Sequence, residues 1–365
     1  MNTSSKVGTF SDVYFSSIDA VKGLLVLIVV MDHNDLLRAW VPELFKPLTF
    51  HVLGFLILPF LAPVKFLSQR QLFDRAIRYL VPFWCVLTFA TALYAVLLRH
   101  DAPADVIVID WLAALLIGSA PLVKTASGFY YLWFLPALFG VVYVLSIFDS
   151  VGRRSKIIIT TATLLTHAFI MMFSTELLKY TPFGVLIVLW IFPFGVLMRI
   201  ALNSESFYRY RYAALSAFIV SYGYLVLRGQ NIEIMTLELH SVTDPLLFIL
   251  QDISAFTGVV VAIWLAMKLN AVRFINACGK HSLMVYLLHP LIFFCGMKVL
   301  GASTWKLESY ALALTAILSV VITAGIALLV AILISRLNFT RTWITPKDWN
   351  GWGPVRWVAY GFPRK

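Results

Sequence analysis

Long apolar runs that alternate with short cation-bearing gaps constrain this chain more than any other feature. Ten of these runs approach the length of about 20 mostly apolar residues that a helix needs to cross a bilayer. They are predicted at 18–38, 47–66, 77–98, 129–148, 157–174, 182–200, 212–228, 245–267, 282–300 and 310–335. With 61% hydrophobic and 13% charged residues, the chain has too little polar surface for a soluble protein. The sequence therefore predicts an all-α polytopic membrane protein with about ten transmembrane helices.

The placement of lysine and arginine predicts how these helices are oriented. Twenty of the 29 basic residues fall in the even-numbered gaps and the two terminal segments, and eight fall in the other gaps. Because cations accumulate on the cytoplasmic side of membrane proteins, we expect both termini in the cytoplasm. The net charge of +11 reflects this bias, and no basic face suggests a nucleic-acid partner.

Three further segments complete the predicted organisation. Residues 105–120 are too short and too charged to span, so we expect an interfacial or re-entrant helix. The last part, 337–365, is basic and carries four tryptophans, which is typical of a segment lying at the headgroup interface. No small-residue cleavage site follows the apolar run Gly23–Met31, so we expect the first helix to be retained. We predict a single transmembrane domain over 1–365.

The first predicted helix carries ionisable side chains at membrane depth, where they are costly. Lys22 and His33 are eleven residues apart, which at 100° per residue places them about 20° apart on one helix face. Lys22 alone is equally well explained as a topology anchor whose amine reaches the membrane surface. The polar run at Asp32–Asp35 is not explained by a plain helix end. Asp32 and Asp35 are both candidates to hold or orient His33.

Four short segments, in order along most of the chain, match one family pattern. The first helix has an aspartate, a cation, a glycine and then a histidine eleven residues after the cation, at Asp19, Lys22, Gly23 and His33. The remaining matches are Arg75, Arg78 and Pro82; Leu132, Trp133, Phe134 and Leu135; Gly279, Ser282, Tyr286 and His289. Together they resemble the integral-membrane acyltransferases of the acyltransferase-3 type. A lysine at position 22, where arginine is commoner, resembles the branch that includes fucose 4-O-acetylases.

The resemblance implies transfer of an acyl group, usually acetyl, from cytosolic acyl-CoA to a sugar hydroxyl. The acceptor would be an extracytoplasmic or lipid-linked surface polysaccharide. His33 would act as the general base, since histidine has an unperturbed pKa of about 6.5, or as an acyl-carrying nucleophile. The rise from Lys22 to His33 is about 16 Å, comparable to an extended pantetheine arm.

The resemblance also implies a phosphate-binding role for three cations. Lys22, Arg75 and Arg78 would hold the CoA phosphates at the cytoplasmic edge, with arginine giving bidentate contacts. The alternative is that Arg75 and Arg78, like the neighbouring Lys65 and Arg70, are positive-inside residues that face lipid headgroups. Acetyl-CoA would be a co-substrate, and we expect no permanently bound cofactor and no metal. Three cysteines, at Cys85, Cys278 and Cys295, form no disulfide framework or metal-binding spacing.

Other polar residues are candidates for the path of the acyl group or for the acceptor site. His289 is either a buried histidine bonded to a neighbour or a second polar group lining the path, with Tyr286 one turn before it. His51, near the end of the second predicted span, is expected to approach His33, and Trp133 is expected to serve packing. Candidate sugar contacts are Asp101, Asp105, Asp110, Glu176, Glu233, Glu238, His240, Asp244 and Glu308.

Two other classes of protein compete with the acyltransferase interpretation. A transporter or flippase for a lipid-linked sugar also needs many spans and buried cations, but we find no matching interrupted helices in the two halves. A non-catalytic scaffold leaves the Lys22–His33 spacing and the Arg75–Arg78 pair unexplained. The family resemblance suggests the bacterial inner membrane as the location. Neither the oligomeric state nor the acceptor sugar follows from the sequence.

Overall fold

A computed structural model describes 17–42, 50–61, 67–99, 101–172, 185–202, 206–228, 245–300 and 309–346. These residues form helices joined by short turns, and no strand occurs among them. The α-helices, numbered α1 to α15 in order, are Ile18–Asp32, Asp35–Trp40, Phe50–Leu61, Gln69–Leu98, Ala104–Ile117, Ala120–Ser127, Phe134–Ser150, Arg153–Met172, Val185–Leu202, Ser206–Leu227, Pro245–Lys268, Arg273–Lys280, Ser282–Leu300, Ser309–Arg336 and Asn338–Trp343. A 3-10 turn over Tyr130–Trp133 leads into α7.

The chain forms two compact units. The first groups the described residues of Met1–Phe55, Val196–Ile232 and Leu246–Ala331. The second groups those of Leu56–Gly195, Glu233–Pro245 and Ile332–Lys365. The first unit contains α1, α2, α10, α12 and α13, and the second contains α4 to α8.

The described residues of all ten predicted spans are largely helical, which confirms the all-α class. Within the described ranges, four helical segments are long and apolar enough to cross a membrane: Gln69–Leu98, Tyr131–Ser150, Ile249–Lys268 and Tyr310–Arg336. A fifth candidate is the pair α12 and α13, which is bent by 92°. The chain is therefore an all-α membrane protein, while the count of ten and the cytoplasmic termini stay predictions.

The first predicted span, 18–38, is not one continuous helix. α1 ends at Asp32, and α2 begins at Asp35. Asn34 starts the new helix, because its side-chain oxygen accepts a hydrogen bond from the Leu37 amide at 3.0 Å. The same side chain donates to Ser319 Oγ on α14 at 2.7 Å. A capping residue within the apolar run therefore breaks the helix at the polar segment.

The short helix α2 lies inside the first unit. Leu36 and Leu37 are buried together with Ala316 of α14. Phe293 and Met297 of α13 pack against this cluster. The burial of these apolar side chains holds α2 against α13 and α14, and so fixes where the break in the first span lies.

Glycines allow α1 and α12 to cross closely. A Cβ added to Gly279 would lie 1.6 Å from the Asp19 carbonyl oxygen, and one added to Gly23 would lie 1.9 Å from the Ile275 carbonyl oxygen. Neither position admits a larger residue without a shift of backbone. The gap between the eighth and ninth predicted spans contains the short helix α12. Two glycines from distant matched segments therefore form one helix contact.

The third predicted span begins earlier than expected. α4 starts at Gln69 rather than at 77, because Ser68 and Gln71 form a reciprocal capping box. Arg75 and Arg78 consequently lie in the second and third turns of a 30-residue helix. Arg75 is partly buried, and Arg78 is exposed.

The segment 105–120, predicted to be a short interfacial or re-entrant helix, is largely helical. α5 ends at Gly118, whose φ of 66° is the left-handed conformation that glycine adopts readily. An ion pair between Arg99 and Asp110, with an N–O distance of 2.9 Å, ties α5 to the end of α4. The Trp84 indole N–H also donates to the Leu115 carbonyl at 3.3 Å. The position of α5 relative to a membrane stays a prediction.

Candidate active site

His33 lies directly after the last residue of α1, at the break in the first span. Its φ of −89° and ψ of 9° take the backbone out of the helix. Its ring Nδ1 lies 2.9 Å from the Val29 carbonyl oxygen. Because a carbonyl only accepts hydrogen bonds, Nδ1 carries the proton in this contact. In a neutral ring, Nε2 then holds the lone pair that a general base needs.

His289 of α13 stands beside His33. The two ring centroids are 5.2 Å apart, and the ring planes meet at 61°. His289 is only 1% exposed, and its Nδ1 lies 3.3 Å from the Val285 carbonyl oxygen. The Tyr286 ring lies 5.9 Å from the His289 ring. Both imidazoles therefore direct Nδ1 at a carbonyl one turn earlier in the chain, which leaves two Nε2 atoms in one small region.

A buried carboxylate precedes His33. Asp32 has a side chain that is 7% exposed, and its Oδ1 accepts a hydrogen bond from Arg38 Nη2 of α2 at 2.8 Å. Its Oδ2 lies 3.6 Å from Nε2 of His51 on α3, and that side chain is fully buried. The structure thus joins three helices at Asp32. His51, which was predicted to approach His33, contacts Asp32, the residue that precedes His33 in the chain.

Asp35, the other carboxylate of the polar run, has a different environment. It is exposed and lies in the first turn of α2, where the positive end of the helix dipole stabilises its negative charge. Among the described residues it has no hydrogen bond or ion pair. No contact of Asp35 therefore supports its predicted role in orienting His33. Asp32, by contrast, contacts Arg38 and His51.

The opposite end of α1 carries the predicted phosphate-binding lysine. Lys22 Nζ donates to Asp19 Oδ1 at 3.3 Å, and the two side chains are 36% and 47% exposed. The glycine crossing with α12 brings Gly279 to the Asp19 backbone. Because Asp19 pairs with Lys22, a phosphate bound at this position would compete with it for the Lys22 ammonium. α1 is helical from Ile18 to Asp32, so the predicted rise along the helix is retained.

A family model for an acyltransferase domain of the acyltransferase-3 type matches residues 15–336, nearly the whole chain. The chain belongs to this acyltransferase family. No curated protein and no solved structure matches the chain significantly. The matched range includes both members of the His33–His289 pair and the Lys22–Asp19 pair.

Several residues of this acyltransferase that the sequence singled out lie elsewhere. Arg75 and Arg78 belong to α4 in the second unit, and Arg70 is exposed in the first turn of that helix. Trp133 is 4% exposed, in accord with a packing role. Lys65, Glu176, Glu233, Glu238, His240, Asp244 and Glu308 lie outside the described residues. Asp101 and Asp105 are exposed, and Asp110 is paired with Arg99.

Within the described part of the chain, no group of three or more His, Cys, Asp or Glu side chains is arranged to hold a metal ion. All three cysteines are free. The polar residues at the end of α1 are thus arranged in pairs and hydrogen bonds between protein groups.

Sequence reasoning missed two residues at this end of α1. Arg38 was not among the candidate residues, and Asn34 stood only within the polar run Asp32–Asp35. A helical period places Asp32 and Arg38, six residues apart, on different faces. The helix break makes their contact possible. A capping asparagine in an apolar run was the one available signal for that break.

Proposed function

We propose that this acyltransferase moves an acetyl group from cytosolic acetyl-CoA to a hydroxyl of a surface polysaccharide, with His33 as the general base. The acceptor would be lipid-linked or extracytoplasmic, and the membrane the bacterial inner membrane. The hydrogen bond from His33 Nδ1 to the Val29 carbonyl is the observation that carries this proposal. It leaves Nε2 as the basic atom of a ring held in place by its own helix.

The chemistry needs one proton acceptor near the acceptor hydroxyl. His33 Nε2 takes the hydroxyl proton as the oxygen attacks the carbonyl carbon of the thioester. The carbon–sulfur bond then breaks, and the imidazolium returns the proton to the leaving CoA thiolate. General-base catalysis of this kind contributes about 10²–10⁴-fold in rate. His289, 5.2 Å away between ring centroids, supplies a second imidazole at the same place.

The donor would enter from the end of α1 that carries Lys22. The Lys22 ammonium would bind a CoA phosphate through charge-assisted hydrogen bonds. A phosphate-binding role for Arg75 and Arg78, which belong to the second unit, stays a prediction. The helical rise from Lys22 to Asp32 is about 15 Å at 1.5 Å per residue. This length lets a bound CoA present its thioester at the other end of the helix while its phosphates stay at the membrane edge.

The test is transfer of labelled acetyl from acetyl-CoA to polysaccharide in membranes that hold equal amounts of each variant. Wild type should transfer label and His33→Ala should not. His281→Ala is the matched control, because this histidine lies at the bend between α12 and α13 and has no part in the proposal. Equal transfer by wild type and His33→Ala would remove His33 from catalysis. No transfer by wild type to a known acceptor would favour a transporter over an acetyltransferase.

A further inference from the structure

The ion pair at Asp32 is unusual because it spans a break in a helix. Asp32 is the last residue of α1, and Arg38 lies in α2, beyond the break. The Arg38 guanidinium donates to Oδ1 at 2.8 Å, so the two helices are joined by a charge-assisted bond. His51, 3.6 Å from Oδ2, extends the cluster to α3. One carboxylate therefore connects three separate helices.

Such a cluster is a poor device for stability alone. Removing a carboxylate from water costs several kcal/mol, so well-packed apolar residues often serve stability as well as a buried ion pair does. Buried polar groups specify one geometry, because each donor must meet its acceptor at a fixed distance and angle. The cluster lies directly before His33, so the geometry that it fixes bears on the position of the His33 imidazole.

We propose that Asp32, hydrogen-bonded to Arg38 and close to His51, is a positioning residue that fixes the His33 imidazole for acyl transfer. This inference rests on the proposed function. His33 follows Asp32 in the chain, so any change in where the helix breaks moves the imidazole. A displacement of about 1 Å at a reacting group can cost about 10²-fold in rate.

The two sides of the break are held by different residues. On the α2 side, Asn34 caps the helix and donates to Ser319 of α14. On the α1 side, the His33 ring is hydrogen-bonded to the Val29 carbonyl, and Asp32 accepts a hydrogen bond from Arg38 of α2. Loss of the Asp32 carboxylate leaves Asn34 in place, so α2 still forms while the link between the two helices is lost.

The experiment compares purified full-length wild type with Asp32→Asn, measuring kcat, KM for acetyl-CoA and thermal stability. We expect kcat per folded molecule to fall about 10²-fold. KM for acetyl-CoA should change less than about twofold, because the phosphates are bound at the opposite end of α1. Asp149→Asn, the same chemical change at the end of α7, is the matched control and should retain both constants.

Variants of Arg38, the partner of Asp32, distinguish a positioning role from a folding defect. Arg38 is 44% exposed in its side chain, so Arg38→Ala and Arg38→Lys are accommodated more easily than a change at Asp32. Arg38→Ala should lose kcat, and Arg38→Lys should recover part of it because the ammonium still pairs with the carboxylate. A purely structural role predicts unchanged kcat per folded molecule in all of these variants.

The possible outcomes separate this inference from the proposed function. An active wild type with unchanged kcat in Asp32→Asn and Arg38→Ala would overturn the positioning role and leave the function intact. A fall in kcat matched by an equal rise in KM would also overturn it, since the cluster would then act on donor binding. A wild type that transfers no acetyl group to a known acceptor would overturn both.

Discussion

The two ends of α1 hold ionisable groups in opposite ways. At the Asp32 end, the carboxylate is buried, bonded to Arg38 and close to His51, and the His33 and His289 rings are set by their own helices. At the other end, Lys22 and Asp19 form a longer and partly exposed pair. Fixed geometry is what proton transfer requires, whereas an adjustable pair suits a phosphate that arrives and leaves. The contrast suggests chemistry at one end and donor binding at the other.

The strongest way to break this contrast is to remove the imidazole. His33→Gln should lower kcat by about 10²–10⁴-fold, the usual contribution of a general base. KM for acetyl-CoA should stay close to that of wild type, because the proposed phosphate site lies at the other end of α1. Steady-state kinetics on purified protein provides both constants. A large rise in KM with unchanged kcat would place donor binding, rather than chemistry, at His33.

The glycine crossing tests whether packing holds the Lys22 end in place. Gly279→Ala puts a methyl group against the Asp19 carbonyl and should cost about 1–3 kcal/mol in stability, as overpacking usually does. Thermal unfolding in detergent measures the effect. Gly325→Ala in α14 is the matched control, because a Cβ there meets nothing within 4 Å. Equal stability of the two variants would show that α1 and α12 do not cross as described.

Removal of the lysine should affect binding alone. Lys22→Met should raise KM for acetyl-CoA about tenfold, since a hydrogen bond to a charged group contributes about 1.5–3 kcal/mol. kcat should stay within about twofold, because the proposed chemistry occurs at His33, at the other end of α1. Asp19→Asn is the companion variant, and its effect on KM should be smaller, since exposed ion pairs contribute at most about 1 kcal/mol. A loss of kcat in Lys22→Met equal to that in His33→Gln would erase the difference between the two ends.

The smallest expected effect concerns the residue that starts α2. Asn34→Ala removes the side-chain oxygen that caps the helix and should cost about 1 kcal/mol in stability. Asn34→Ser keeps a capping oxygen and should lose less. Thermal unfolding compares the two variants. If alanine were tolerated as well as serine, packing of Leu36 and Leu37, rather than the cap, would set the position of the break.

The sequence predicted much of the helical architecture because apolar runs are long and their gaps are short. It also placed His33, His289 and Asp32 among the site residues, which the structure brings into one unit. It could not predict the break after Asp32, because hydropathy does not distinguish a continuous helix from two helices joined by a capped turn. α12 was not predicted for a similar reason, because eight residues are too few to form a span. The contact of Asp32 with Arg38 depends on the break after Asp32, so the sequence could not predict this contact either.

The close packing of α1 against α12 has a consequence for biosynthesis. Gly23 and Gly279 are separated by more than 250 residues, so the first helix is made long before its partner. At about 5–20 residues per second, the interval is roughly 13–50 s. During this time the nascent helix carries Lys22 and Asp32 without the α12 surface, and without His51 until the next helix emerges. The first helix of this protein is therefore made early, and its packing contacts form late. Its polar groups must be tolerated in the membrane until α12, in the last third of the chain, has been made.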